Sequence, residues 1–199
     1  MWEAACKYAV DEFVADGMVV SLGSGGMVAR AIPYLAEKVS SGELKGCKFV
    51  ANSVVSASEA AFAGLELSMA GEFDGWDVAL QEADEVDSSD LSFIFGRWEP
   101  SMPSHPQIRE ALFGMSKAAR VVALVPSERC LRIQLGGDLP VVIEGGDAWE
   151  DVAEEVDDCV LGDAEIWRRP ADGSQGPADP RALGNPYVTE DGENILDVR

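Results

Sequence analysis

Apolar positions recur at helical spacing at the start of the chain. Trp2, Ala5, Cys6, Ala9, Val10, Phe13 and Val14 share one face, with Lys7, Asp11 and Glu12 among the polar positions. This predicts an opening helix closed near Asp16-Gly17. The period then changes. "MVVSL" (18–22) is a continuous apolar run read as a buried strand, followed by the loop "GSGG" and a helix from about Met27 to Val39. "CKFVAN" (47–52) predicts the next strand, "SASEAAFAG" a helix with a glycine stop, and "WDVAL" (76–80) a third strand. Residues 107–119 suit another helix and "ARVVALV" (119–125) a fourth strand. Uninterrupted apolar strands alternating with helices predict an α/β fold, a Rossmann-like parallel sheet with helices on both faces.

The texture changes after Leu135. "LPVVIE" (139–144) is a short strand, "DAWEDVAEEVDDCV" (147–160) an acid-rich amphipathic helix and "AEIWRR" (164–169) another strand. Residues 170–186 collect prolines, glycines and aspartates and read as an exposed loop. "YVTEDGENILDV" (187–198) reads as a hairpin turned at Asp191-Gly192. The expected organisation is a core domain over 1–135 and a small α+β satellite domain over 136–199.

Composition adds one unusual feature. Thirty-six acids against 15 Lys and Arg leave a formal net charge of −21. Non-specific attraction to nucleic acid or to an anionic membrane is therefore excluded as a mode of action. The acidic surface either keeps the chain in solution or meets a partner with basic surfaces. Cys6, Cys47, Cys130 and Cys159 are scattered, which points to a reduced intracellular compartment, and with His105 as the single histidine no zinc site is expected. No apolar run approaches the ~18 residues that span a bilayer. The first residues form an amphipathic helix containing acids, unlike a signal or transit peptide. A soluble protein is expected, in the cytoplasm or an organelle interior.

Two stretches carry candidate chemistry. The strand–"GSGG"–helix order is the geometry of an anion cradle, in which free amides of a helix's first turn face a negative charge. It is not a nucleotide loop of the Gly-Lys-Ser/Thr kind. Nor is it a dinucleotide fingerprint, because Val28 stands where the third glycine belongs. The alternative, glycines chosen only for a tight turn, stays open. The second stretch is "VALQEADEVD", an apolar strand running into acids headed by Gln81.

A lysine-bearing helix, "DGMVVSLGSGG", "EADEVD", a later Arg-Glu, "LPVVI" and "VTEDGENILDV" follow one another in an order and spacing that resembles the type A ribose-5-phosphate isomerase family over nearly the whole chain. The resemblance implies aldose–ketose interconversion of ribose 5-phosphate and ribulose 5-phosphate through an enediol, without a metal or organic cofactor. It places the phosphate cradle at Ser24, Gly25, Gly26 and Met27, where the family's Thr-Gly-Ser-Thr keeps a single hydroxyl, and brings Lys7 near the site. The family's Asp-Gly-Ala-Asp-Glu becomes Gln81-Glu82-Ala83-Asp84-Glu85. Asp84 then matches an acid used in ring opening, while Gln81 replaces a carboxylate. Glu110, after Arg109, matches the catalytic base. Phe95 or Gly96 falls where the family has a lysine, and "GRWEPSMPSHPQ" replaces its glycine run. Arg97 is a candidate replacement cation. Glu128 reverses the sign of a second family lysine.

Proton transfer beside a carbonyl needs a base, a steadied enediolate oxygen and a held phosphate. Fold-bearing motifs persist here, while cations, hydroxyls and one carboxylate are lost. The expected function is an isomerase-like protein without turnover, kept as a structural or accessory subunit with other protein chains as partners, in a homo-oligomer or larger complex. An active isomerase and a phosphosugar-binding sensor remain the alternatives. Family members continue past "ILDV", so the satellite is expected to be truncated relative to them and to expose a sheet edge suited to pairing with another chain.

Overall fold

A computed structural model of the chain describes residues 2–98, 105–131, 135–160, 164–171 and 185–199. Most of the expected loop 170–186 lies outside the described residues. The chain divides into two units, Met1–Phe93 with Pro106–Leu135, and Ile94–His105 with Gly136–Arg199.

The first unit opens with α1 (Trp2–Phe13), β1 (Val19–Leu22), α2 (Gly26–Ser41), β2 (Lys48–Ala51) and α3 (Val54–Ala63). β3 (Trp76–Glu82) and β4 (Glu85–Asp87) follow, and β5 (Phe93–Ile94) marks the boundary between the units. The chain re-enters through α4 (Ile108–Ser116), β6 (Ala118–Leu124), a 3₁₀ turn (Ser127–Arg129) and β7 (Cys130–Leu131). The four long apolar runs form one sheet in the order β2-β1-β3-β6, with every neighbouring pair parallel.

Both faces of β3 are covered, as consecutive buried residues require. Val78 and Leu80 join Val20, Leu22, Val122 and Leu124 beneath Cys6 and Val10 of α1 and Val28, Ile32 and Leu35 of α2. On the opposite face α4 packs closely. Gly114 of α4 lies against the side chains of Ser21 and Asn52, where a Cβ would meet the Ser21 hydroxyl at 3.1 Å. Trp76 Nε1 donates to the Gly114 carbonyl at 2.5 Å. α3 begins close to the start that its sequence suggests. Ser53 and Ser56 cap one another's backbone amides, and a serine in place of the usual Glu or Gln hides that signature.

The second unit contains β8 (Leu139–Ile143), α5 (Trp149–Cys159), β9 (Ile166–Arg168) and β10 (Asn194–Val198). Its sheet is antiparallel in the order β8-β10-β9. Ile143, Leu196 and Val198 pack under Trp149, Val152 and Val156 of α5. The expected hairpin over 187–198 is corrected. Thr189 and Glu193 close a tight turn, with Thr189 N donating to Glu193 O at 2.9 Å, but residues 187–189 are not a strand. β10 is paired on both edges by β8 and β9, which leaves no position for a preceding arm. β10 is thus central in its sheet.

Candidate functional site

The glycine loop leaves β1 beside the end of β3, and the two strands are in parallel register with Leu22 opposite Leu80. Gly23 N donates to Leu80 O at 2.9 Å, and a Cβ on Gly23 would come within 2.6 Å of that same carbonyl. Gly25 caps α2 with φ 109°, a conformation that favours glycine, and offers no side-chain cap. The amides at the start of α2 therefore depend on an outside acceptor.

That acceptor is Glu82. Its Oε2 accepts from Met27 N at 2.7 Å. The side chain reaches the helix by lying across Gly25, where a Cβ would meet Glu82 Cβ at 2.5 Å. Burial pushes the Glu82 carboxyl above its ordinary pKa, opposed by the Met27 amide and by the positive charges of Arg129 and Arg30. An internal carboxylate thus occupies the helix end at which the family resemblance places a phosphate.

Gln81 fastens the same turn. Almost fully enclosed, its Oε1 accepts from Ser24 N at 3.3 Å, and its Nε2 donates to Glu82 O at 3.0 Å. Longer bonds of 3.4 Å run from Nε2 to the carbonyl and hydroxyl oxygens of Ser24. A carboxylate has no N–H to make these donations, so Gln81 suits a structural clamp better than it suits proton transfer.

Asp84 lies just beyond, its side chain 13% exposed, with Arg129 Nη1 at 4.0 Å from its Oδ1. Arg129 closes the 3₁₀ turn that follows β6. Sequence reasoning does not single it out, because the family lysine aligns one position earlier, at Glu128, which is exposed and accepts from the Ser127 hydroxyl at 3.3 Å. The available signal is an arginine in the loop after a parallel strand, adjacent to an expected cation. Glu110 is half-buried in the first turn of α4. Lys7 is paired with Glu3 one helical turn away at 2.9 Å and lies over the Tyr34 ring, 5.3 Å from its centroid.

Phe95 and Arg97 belong to the second unit. Arg97 Nε and Nη2 donate to the carbonyls of Asp138 and Gly136, both at 2.7 Å. The buried Arg169 donates to Gly96 O at 2.9 Å, and His105 is stacked between Trp98 and Tyr187, with ring centroids 4.9 and 3.7 Å away. Of the segment in the place of the family's lysine and glycine run, the described residues Gly96, Arg97, Trp98 and His105 are thereby held within their own unit. Among the described residues, no group of three or more His, Cys, Asp or Glu side chains is placed to hold a metal ion, and no helix is long and apolar enough to cross a membrane.

The family model for ribose 5-phosphate isomerase A (phosphoriboisomerase A) matches residues 48–199. The ribose-5-phosphate isomerase A of Synechococcus sp. (strain WH7803) is 33% identical over 200 residues, covering 100% of this chain and 75% of that protein. That of Prochlorococcus marinus (strain MIT 9303) is 34% identical over 202 residues, covering 100% and 74%. A solved D-ribose-5-phosphate isomerase in complex with phospho-erythronic acid superposes with a TM-score of 0.77 at 25% identity, over 99% of this chain and 77% of that one. The isomerase A structure from Methanocaldococcus jannaschii gives 0.76 at 23% identity, over 99% and 78%. The chain belongs to the type A ribose-5-phosphate isomerase family.

Proposed function

We propose that this chain is a member of the family that does not turn over ribose 5-phosphate and acts through its surfaces, as a subunit of a protein assembly. The observation that carries the reading is the Glu82 carboxylate on the Met27 amide at 2.7 Å. A phosphate brought to the same helix end meets a fixed negative charge. Two unit charges about 4 Å apart near a protein surface repel by about 4 kcal/mol, roughly a thousandfold in affinity. The other departures act in the same direction. Gln81 holds the turn as a neutral amide, Lys7 is tied to Glu3, and Arg97 is tied to two carbonyls. Losing a single general base or a single oxyanion donor typically costs on the order of 10² to 10⁴ in rate.

A coupled assay of ribulose 5-phosphate formation on the purified chain tests this. A companion variant carries Glu82→Gly, Gln81→Asp, Phe95→Lys and the family's glycine run in place of residues 96–102. The native chain is expected to be silent and the variant to gain measurable turnover. Robust turnover by the native chain would show that Asp84, Arg129 and Glu110 suffice for the chemistry, and the reading would be wrong.

A further inference from the structure

Glu82 keeps its place at the start of α2 but not, at every pH, its charge. Its backbone is pinned, with Glu82 N donating to Ser24 O at 3.3 Å. Its side chain lies along Gly25 from one end to the other, so that a Cβ on Gly25 would meet Glu82 Cβ at 2.5 Å and Oε2 at 2.3 Å. Oε2 accepts from Met27 N, while among the described residues Oε1 makes no hydrogen bond. The charges that reach the carboxyl are those of Arg30 on α2 and of Arg129 in the turn after β6, and Arg129 is shared with Asp84 at 4.0 Å. On α1 the titratable neighbour is Cys6, whose thiol is pushed up by burial and stays neutral. Gln81, the adjacent residue on β3, is a neutral amide.

We propose that Glu82 makes this cradle proton-gated: a phosphate or sulfate oxyanion enters at the start of α2 only together with one proton, which passes from water to Glu82 Oε1. The inference rests on the reading that Glu82 occupies the family's phosphate cradle, and it adds a regulation to that site. As a carboxylate, Glu82 sets a negative charge beside the incoming one. As a carboxylic acid it keeps one oxygen as the acceptor for Met27 N and turns the other into an O–H donor that an oxyanion can use. Burial already favours the neutral form, while the Met27 amide, Arg129 and Arg30 favour the charged one. A bound dianion tips that balance toward the neutral form. By linkage, affinity then climbs about tenfold for each unit that pH falls, until the Glu82 pKa of the empty cradle is reached. The ceiling on the gain is the repulsion removed, roughly a thousandfold.

Sulfate is the probe, because its charge is constant through the range in which carboxylates and histidine titrate. Calorimetric titration from neutral pH down to about pH 5 compares the native chain with Glu82→Gln, whose amide keeps an acceptor for Met27 N without the charge. The variant is expected to bind sulfate already at neutral pH. Its pH dependence reports the other acids and His105, and the native chain is expected to exceed that slope by about tenfold per pH unit. A second measurement needs no variant. Titrations in buffers of different ionisation enthalpy count protons, and the native chain is expected to take up about one per sulfate near pH 6. Equal slopes would mean that Glu82 swings aside still charged, and would overturn the inference. So would the absence of proton uptake, or of saturable sulfate binding by the native chain at the acid end. Failure of the proposed function shows separately, as turnover of ribose 5-phosphate by the native chain.

Discussion

Glu82 is the residue whose meaning changes most between sequence and structure. In the sequence it is an acid in place of the family's glycine; in the fold it is the acceptor that α2 otherwise lacks. That role depends on β1 lying beside β3 in register, a long-range fact that local pattern does not contain. Arg129 escapes the sequence for a related reason, since one residue of register separates it from the position that alignment points to. Ser24, Gly25 and Gly26 are legible, because a strand–glycine–helix order has few geometries. His105 gives a prediction at this scale. Burial in its aromatic stack lowers its pKa, as does the Arg169 charge, while the Ala171 carbonyl and Asp197 oppose the shift. Among the described residues its Nδ1 has no hydrogen-bond partner, so a second proton finds no acceptor there. The unfolded chain then binds a proton before the folded one does. The contribution of this site to stability is complete above pH 6.5 and is lost as pH falls from 6.5 toward the folded value. The single imidazole is directly visible by NMR titration. A midpoint below 6.5 is expected, and one at or above it would contradict the burial argument.

Among elements, long apolar runs are legible and short pairings are not. β1, β2, β3 and β6 follow from uninterrupted stretches that only a two-sided parallel sheet can bury. β4, β5 and β7 are two or three residues long, below the length at which periodicity carries information. The turn at Asp191-Gly192 is visible in the sequence, but the absence of a strand before it is not, because β10's pairing on both edges is a property of the whole sheet. The same sheet rests on a buried ion pair. Arg169, just after β9, donates through Nε to Asp197 of β10 at 3.0 Å and through Nη2 at 2.5 Å. Removing one partner leaves an enclosed charge, which typically costs about 3–5 kcal/mol. Asp197→Ala is accordingly expected to lower urea-unfolding stability by about that amount. A loss under about 1 kcal/mol would mean that Arg169 is satisfied by Gly96 O alone.

For the whole molecule, the formal charge of −21 sets the background against which each contact is made. Screening should relieve self-repulsion, so the melting temperature is expected to rise as sodium chloride is raised from low concentration to several hundred millimolar. A flat response would mean that the acids are already compensated locally. The same field disfavours an anionic ligand, and Glu82 adds a negative charge at the helix end where a phosphate would sit. The most direct measurement is calorimetric titration of ribose 5-phosphate into the native chain and into Glu82→Gly. The native chain is expected to show no binding up to millimolar ligand, and the variant, about 4 kcal/mol more favourable, to bind measurably within that range. Equal binding by the two proteins, or no binding by either, would contradict the proposal that Glu82 closes the cradle.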